Sequence, residues 1–255
     1  MSRKRLIANI NLIGKTAVNS YKFTSYLPVG KPLVLLKYLQ RWSVDEISIS
    51  QIDSSIKFNK DYIKFLKSLT SFCNIPISYS GGLSSINIVH RVIDSGFDKL
   101  IFNRSFFVNE HLLDESISSY GAQSTCVKID YYNKGRNRFI YHHWEKTLNN
   151  YNLEKIIPAI NLIRPGEIYL NDIHRDGSML GLDTALIRKN MFKDSNVVYM
   201  GGVGKPQHLI NAFRIRSCEA ICVGNYLNAK EHSYVNLKHS LDSDSFRPSP
   251  FSIYE

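Results

Sequence analysis

A closed eight-stranded (β/α)8 barrel, built from two similar (β/α)4 halves, is the fold that this sequence predicts, and three observations carry it. First, the chain repeats itself at a spacing near half its length. Tyr79, Gly81 and Gly82 return as Tyr199, Gly201 and Gly202; Glu46, Ile47 and Ile52 return as Glu167, Ile168 and Ile173; Ile10-Asn11 returns as Ile129-Asp130. A constant offset of this size marks an internal duplication. Second, each half reads strand then helix four times, the pattern that makes parallel sheets. Third, the chain has 255 residues and is 44% hydrophobic, close to the ~250 residues typical of such a barrel.

The elements follow from local pattern. Strand one spans 5–12 and leads into a polar connection, 14–31, rich in Ser, Thr, Asn and Tyr. A first helix, about 32–41, carries leucines on one face. Strand two (46–51), helix two (about 60–71) and strand three (75–80) come next, and strand three ends in Gly81-Gly82. Helix three has apolar residues at Ile86, Val89 and Ile93, in helical spacing. Strand four (99–103), helix four (about 109–120) and strand five (124–131) follow, with a hairpin expected through Lys134-Gly135. The second half continues with a helix near 153–163, strand 167–171, a helix near 183–190, strand 196–200, helix 207–215, strand 220–223 and a last helix about 230–239. Residues 1–241 are therefore expected to form the barrel. The Ser-, Asp- and Pro-rich stretch 242–255 is expected to be a loose tail.

Composition narrows the class. No apolar run approaches the ~18 residues that would span a bilayer, and the basic start leads directly into a strand, so a cytoplasmic protein with no membrane partner is expected. Cys73, Cys126, Cys218 and Cys222 form no CxxC pair, which points to reduced core thiols, with no metal site and no cofactor. The net charge of +10 is spread along the chain without a basic tract. That favours attraction of small phosphorylated substrates over nucleic-acid binding.

In this architecture the chemistry sits on the loops after the strands' C-terminal ends. Gly81-Gly82 and Gly201-Gly202 lie at two such turns. Glycine lets backbone N–H groups approach an anion there, and the following helix N-terminus adds partial positive charge. Asn103, and Gly224 with Asn225, complete two cups, suggesting an elongated substrate with an anionic group at each end. Tight-turn glycines alone are the blander alternative. Asn11 and Asp130 end equivalent strands between the cups. Apolar neighbours Ile129 and Tyr131 would desolvate Asp130 and suit it to proton transfer, unless it merely caps a loop. Asn11 cannot move a proton at neutral pH. Asp53, Asp172, Asp176 and Gly177 add polar groups at the same mouth, the last three within the dense run Asp172–Gly177 that also holds His174.

Together these residues resemble the cyclase subunit of imidazole glycerol phosphate synthase, up to about residue 240. The matching pieces are RLIANINL, SVDEISISQID, ISYSGGL, GFDKLIFN, YGAQSTCVKID, GEIYLNDIHRDGSMLGLD, VVYMGGVG and AICVGN. The resemblance implies a lyase-type cyclase subunit with a glutaminase docked on the barrel floor, ammonia passing through the barrel to the mouth. The family's gate would be Arg5, Glu46, Lys99 and Glu167, and Asp98 would contact the glutaminase. Salt bridges that simply close the floor would use the same four residues.

Three positions depart from the histidine-pathway pattern. Asn11 replaces a catalytic Asp, Asn19 a substrate-contacting Lys, and Gln51 an Asp. Losing one acid/base group costs about 10²–10⁴-fold. The pattern looks more like the paralogous branch found with surface-polysaccharide genes. That branch partners a glutaminase-like protein and an amidotransferase that turns an acetamido sugar into an acetamidino sugar. The sequence thus predicts an ammonia-delivering barrel subunit for sugar amidation. The alternatives are a true cyclase, joining ammonia to phosphoribosyl-formimino-AICAR-phosphate to give imidazole glycerol phosphate and AICAR, and a non-catalytic scaffold for the glutaminase.

Overall fold

The computed structural model describes residues 4–241 and 246, apart from 54, 136, 144, 146, 193 and 194. In chain order, the first half holds β1 (Arg5–Ile13), β2 (Thr16–Tyr21), β3 (Ser25–Gly30), α1 (Pro32–Arg41), β4 (Glu46–Gln51), α2 (Lys60–Thr70), β5 (Ile77–Ser80), α3 (Ile86–Ile93), β6 (Lys99–Phe102), α4 (Arg104–Val108) and α5 (Glu110–Tyr120). The second half holds β7 (Thr125–Lys134), β8 (Asn137–His142), β9 (Thr147–Asn152), α6 (Ile157–Ile163), β10 (Glu167–Asp172), α7 (Thr184–Lys189), β11 (Asn196–Met200), α8 (Pro206–Phe213), β12 (Ala220–Val223) and α9 (Ser233–His239).

Eight strands pair in parallel in the order β1, β4, β5, β6, β7, β10, β11, β12, and β12 pairs back onto β1 through Arg5 and Ala220. The expected (β/α)8 barrel is therefore closed, with helices outside it. Outward residues such as Leu6, Ile47, Tyr79, Val127 and Leu170 pack against the helices in one large core. Inward residues Ile7, Ile101, Cys126, Tyr169, Val198, Met200, Ala220 and Cys222 form a separate cluster inside the bore. Each strand is thus buried on both faces, as a parallel barrel requires.

The segment 14–31, expected as a polar connection, is instead the ribbon β2–β3. β1 runs on past the barrel and pairs antiparallel with β2, Asn11 against Val18. The β2–β3 turn puts Lys22 and Phe23 at φ 53° and 54°, the conformation of a type I′ hairpin that normally takes Asn-Gly. Phe23 is buried at 6% exposure, which offsets the strain of that turn. In the second half β7 runs on in the same way and turns through Gly135 (φ 65°) into β8, where the hairpin was expected.

Smaller differences concern helices. The fourth helical segment is two helices, α4 and α5, broken at Asn109 (φ −157°), and the last helix starts at Ser233 rather than near 230. Strand three begins at Ile77 rather than 75. The stretch 242–255, expected as a loose tail, lies outside the described residues save Phe246, which is buried and stacks edge-on with Phe213 at 4.8 Å.

Candidate functional site at the two ends of the bore

Arg5, Glu46, Lys99 and Glu167 each start a barrel strand, and the structure brings all four together at the floor. Their signs alternate round the barrel, on β1, β4, β6 and β10. Arg5 Nη1 donates to Glu46 Oε2 at 3.0 Å, and its other terminal nitrogen donates to Glu167. Lys99 Nζ lies 3.1 Å from Glu46 Oε2 and 2.9 Å from Glu167 Oε2. The glutamates are nearly dry and the cations partly exposed, so each desolvated charge faces two of opposite sign. Burial alone would lower Arg5 and Lys99, but the facing carboxylates outweigh it and raise both. Burial and the nearby Glu167 push Glu46 up, against the pull of Lys99 and Arg5. Asp98, beside the ring, is exposed, and its Oδ2 accepts the Ile77 N–H at 2.8 Å.

At the opposite end, Asp130 and Asn11 face the bore from β7 and β1. The apolar neighbours expected to desolvate Asp130 point the other way: Ile129 and Tyr131 belong to the outer core. The Asp130 carboxylate instead accepts from Asn103 Nδ2 at 3.0 Å and Asn171 Nδ2 at 2.7 Å, with Lys128 Nζ at 4.0 Å. Its surroundings are polar, a correction to the reading from chain neighbours. Asn11 Oδ1 accepts from Asn9 Nδ2 at 2.9 Å. The repeat that matches Asn11 to Asp130 also matches Asn9 to Lys128, so one half presents two amides where the other presents an ion pair. Gln51 is spent on structure, bonding Gly14 O and Tyr62 Oη at 2.8 Å each. Asn19 accepts from Asn228.

The glycine turns are strained in ways only glycine tolerates. Gly81 (φ 111°) would place a Cβ 2.1 Å from the Gln51 carbonyl, and Gly201 (φ 95°) one 2.6 Å from the Asp172 carbonyl. The two sit at equivalent places in the two halves. A Cβ on Gly82 would lie 2.8 Å from the Phe58 ring, and Asn103 turns its amide to Asp130. Beside Gly201-Gly202 a pocket lies between Asn11, Asn171, Asp176, Gly177, Gly202 and Gly224. Asn225 clasps Ser20 of β2, donating to its carbonyl at 2.6 Å and accepting its N–H at 3.2 Å. Gly177 would place a Cβ 2.6 Å from that same carbonyl.

The end of β10 and the loop after it hold two carboxyls, Asp172 and Asp176, that burial pushes up to about 6. Asp172 is opposed by Arg175, and Asp176 by the Ser20 hydroxyl and Lys128. His174 is exposed and stacks edge-on with Tyr132 at 5.1 Å. Asp53 Oδ1 accepts from the Ser55 N–H at 2.9 Å and the Ser55 hydroxyl at 2.6 Å. Lys128, Asn9, Asn171 and Phe23 escaped the sequence reading. Phe23 stacks on His143 at 4.9 Å and lies 5.5 Å from Lys128 Nζ. Strand alternation was the available signal for three of the four: each sits two residues or a multiple of two from an inward residue already identified.

Among the described residues, no cluster fit for a metal ion occurs, and no helix is long and apolar enough to cross a membrane.

The chain is similar over most of its length to known proteins. The chain is 26% identical over 242 residues to an imidazole glycerol phosphate synthase subunit HisF of Thermococcus onnurineus, covering 94% of this chain and 96% of that one. It is 28% identical over 218 residues to the HisF subunit of Sulfurisphaera tokodaii, covering 84% and 87%. A HisF subunit of Staphylococcus epidermidis matches at 23% over 244 residues, covering 94% and 97%. The family model described as "Histidine biosynthesis protein" matches residues 5–233, from the first barrel strand to the start of the last helix, and the chain belongs to that family.

Proposed function

We propose that this chain is the HisF-like barrel subunit of a glutamine-dependent amidotransferase. A glutaminase docks on the floor, ammonia enters through the Arg5–Glu46–Lys99–Glu167 ring, and a phosphorylated small molecule binds at the mouth. The observation that carries this reading is the ring itself. A barrel needing no partner could close its floor with apolar side chains. Four alternating charges, each paired twice, keep water out and yet can part when a docked protein competes for one of them. The similarity to HisF subunits supports the same assignment. Exposed Asp98 supplies a charge for the partner beside the ring.

The acceptor we assign to this ammonia is a surface-polysaccharide sugar, acted on by a separate amidotransferase. The observation favouring it over histidine-pathway cyclisation is the neutral Asn9–Asn11 pair opposite Asp130, which leaves the mouth without a second carboxylate at the repeat-equivalent position. The test is co-expression with the neighbouring genes, followed by co-purification and assay. A glutaminase-type protein is expected to co-purify. Charge reversal at Asp98 is expected to weaken the complex, and Lys99→Ala to alter ammonia transfer more than docking. Given free ammonia and phosphoribosyl-formimino-AICAR-phosphate, the barrel alone should turn over at least about 10²-fold more slowly than a two-carboxylate cyclase. Ordinary cyclase rates would return the chain to histidine biosynthesis, and failure to recover any glutaminase would overturn the channelling reading.

A further inference from the structure

Tyr169 projects into the bore. It lies on the inward face of β10, two residues above Glu167, is fully buried, and belongs to the small interior cluster rather than to the outer core. Counted either way round the closed barrel, β10 is four strands from β4, so these strands face each other across the diameter. The Tyr169 hydroxyl nevertheless reaches Glu46 Oε1 on β4, at 3.4 Å, while lying 3.5 Å from Glu167 Oε2 on its own strand. Two side chains rooted in opposite walls thus meet inside the bore, and together they obstruct it. Tyr169 lies directly above the charge ring, among Ile7, Ile101, Cys126 and Ala220.

We propose that Tyr169 is a second barrier in the bore, a plug held against the ring glutamates that must swing aside before any small molecule passes from floor to mouth. This rests on the reading of the barrel as an ammonia path. The latch ties the two barriers together. Glu46 and Glu167 pair Arg5 and Lys99 and also face the phenol, whose one O–H can donate to either, so a partner that draws a glutamate aside loosens ring and plug at once. Burial and the nearby Glu46 hold the phenol well above its ordinary range, so it stays a neutral donor throughout the pH range of the protein.

The cysteines provide a readout that needs no partner and no substrate. Cys126 lines the bore beside Tyr169, whereas Cys218 is buried in the outer core. The experiment treats the whole chain with methyl methanethiosulfonate and maps labelling by mass spectrometry. Lys99→Ala opens the ring. With Tyr169 in place, Cys126 should stay protected in that variant. In Lys99→Ala/Tyr169→Ala it should label at least about tenfold faster while Cys218 stays protected, which distinguishes local access from global opening. If the alanine variant does not fold, Tyr169→Leu takes its place. Combined with Lys99→Ala, Tyr169→Phe, which keeps the aromatic ring and loses the latch, should leave Cys126 less protected than Lys99→Ala alone and more protected than Lys99→Ala/Tyr169→Ala.

Cys126 labelling as fast in Lys99→Ala as in the double variant would overturn the plug. So would a folded double variant in which Cys126 stays protected. These outcomes are independent of the ammonia reading, which fails separately if no glutaminase docks.

Discussion

Asp176 shows how a single carboxyl at the mouth couples to stability. Burial raises it from the ordinary 3.8 to about 6, against the Ser20 hydroxyl, which donates at 2.7 Å, and Lys128. Between pH 4 and 6 the folded protein therefore holds a proton that the unfolded chain has already released. Stability from this group falls as pH rises through that window, and the full cost is present above about pH 6. A two-unit shift corresponds to about 3 kcal/mol at most. Asp176→Asn keeps an acceptor for Ser20 and removes the ionisation. It should raise the melting temperature at pH 7.5 and leave it nearly unchanged at pH 4, as followed by calorimetry. An equal gain at both pH values would mean that packing, not ionisation, sets the cost. At this scale the repeat made Asp130 and Asn11 legible, because the duplication marks them as equivalents. It did not reveal what faces them. Asn9 and Lys128 do alternate with the outer-core residues Ala8, Ile10, Val127 and Ile129, so period two marks them as inward. Tyr169 is an apolar-bodied residue between two others, and with both strand faces buried its sequence neighbourhood does not separate bore from outer core.

At the scale of elements, each half extends its first strand beyond the barrel into an antiparallel ribbon, and the two ribbons were unequally legible. The β7–β8 turn uses Gly135, an ordinary hairpin signal. The β2–β3 turn places Lys22 and Phe23 in the left-handed region, residues that announce no turn, and tertiary burial of Phe23 decides the conformation instead. Different anchors hold the ribbons down. β2 is held by Asn225 and Asp176. β8 is held by Arg138, whose Nε and Nη2 donate to Asp183 at 2.6 and 2.9 Å, while Asp183 also accepts the Leu186 N–H as the cap of α7. The guanidinium's hydrogen bond holds Asp183 below its ordinary range despite burial. Arg138→Ala strips a charge-assisted fork from a buried carboxylate and should cost about 1–3 kcal/mol. Hydrogen exchange should localise the loss to β8 and the first turn of α7, leaving the β2–β3 ribbon protected. Equal loosening of both ribbons would contradict separate anchoring.

At the scale of the whole molecule, the duplication makes two half-barrels, and the last helix clasps the first strand to close them. On α9, Lys238 Nζ lies 2.7 and 2.6 Å from the two Asp45 oxygens, and all of these groups are buried. Asp45 Oδ2 also accepts the Leu6 N–H at 2.8 Å, and Tyr234 Oη bridges Asp45 N at 3.0 Å and Leu6 O at 2.8 Å. The floor-side starts of β1 and β4 are thus stitched to the far end of the chain. Pattern reading found the helix but not the clasp, because Asp45 and Lys238 are 193 residues apart and each alone looks like a surface charge. Magnitudes separate this pair from an exposed one. Lys189–Glu154, about half exposed on both sides, is worth ~0–1 kcal/mol. Lys238→Met should cost about 3–5 kcal/mol, because it leaves the Asp45 carboxylate buried beside a methionine. Asp45→Asn keeps an acceptor for Leu6 N–H but carries no charge, so Lys238→Met made on that background should cost less than half as much. Urea denaturation of the four proteins of this cycle gives the coupling directly. Additive losses would show that the pair contributes only packing and that the barrel closes without its charge.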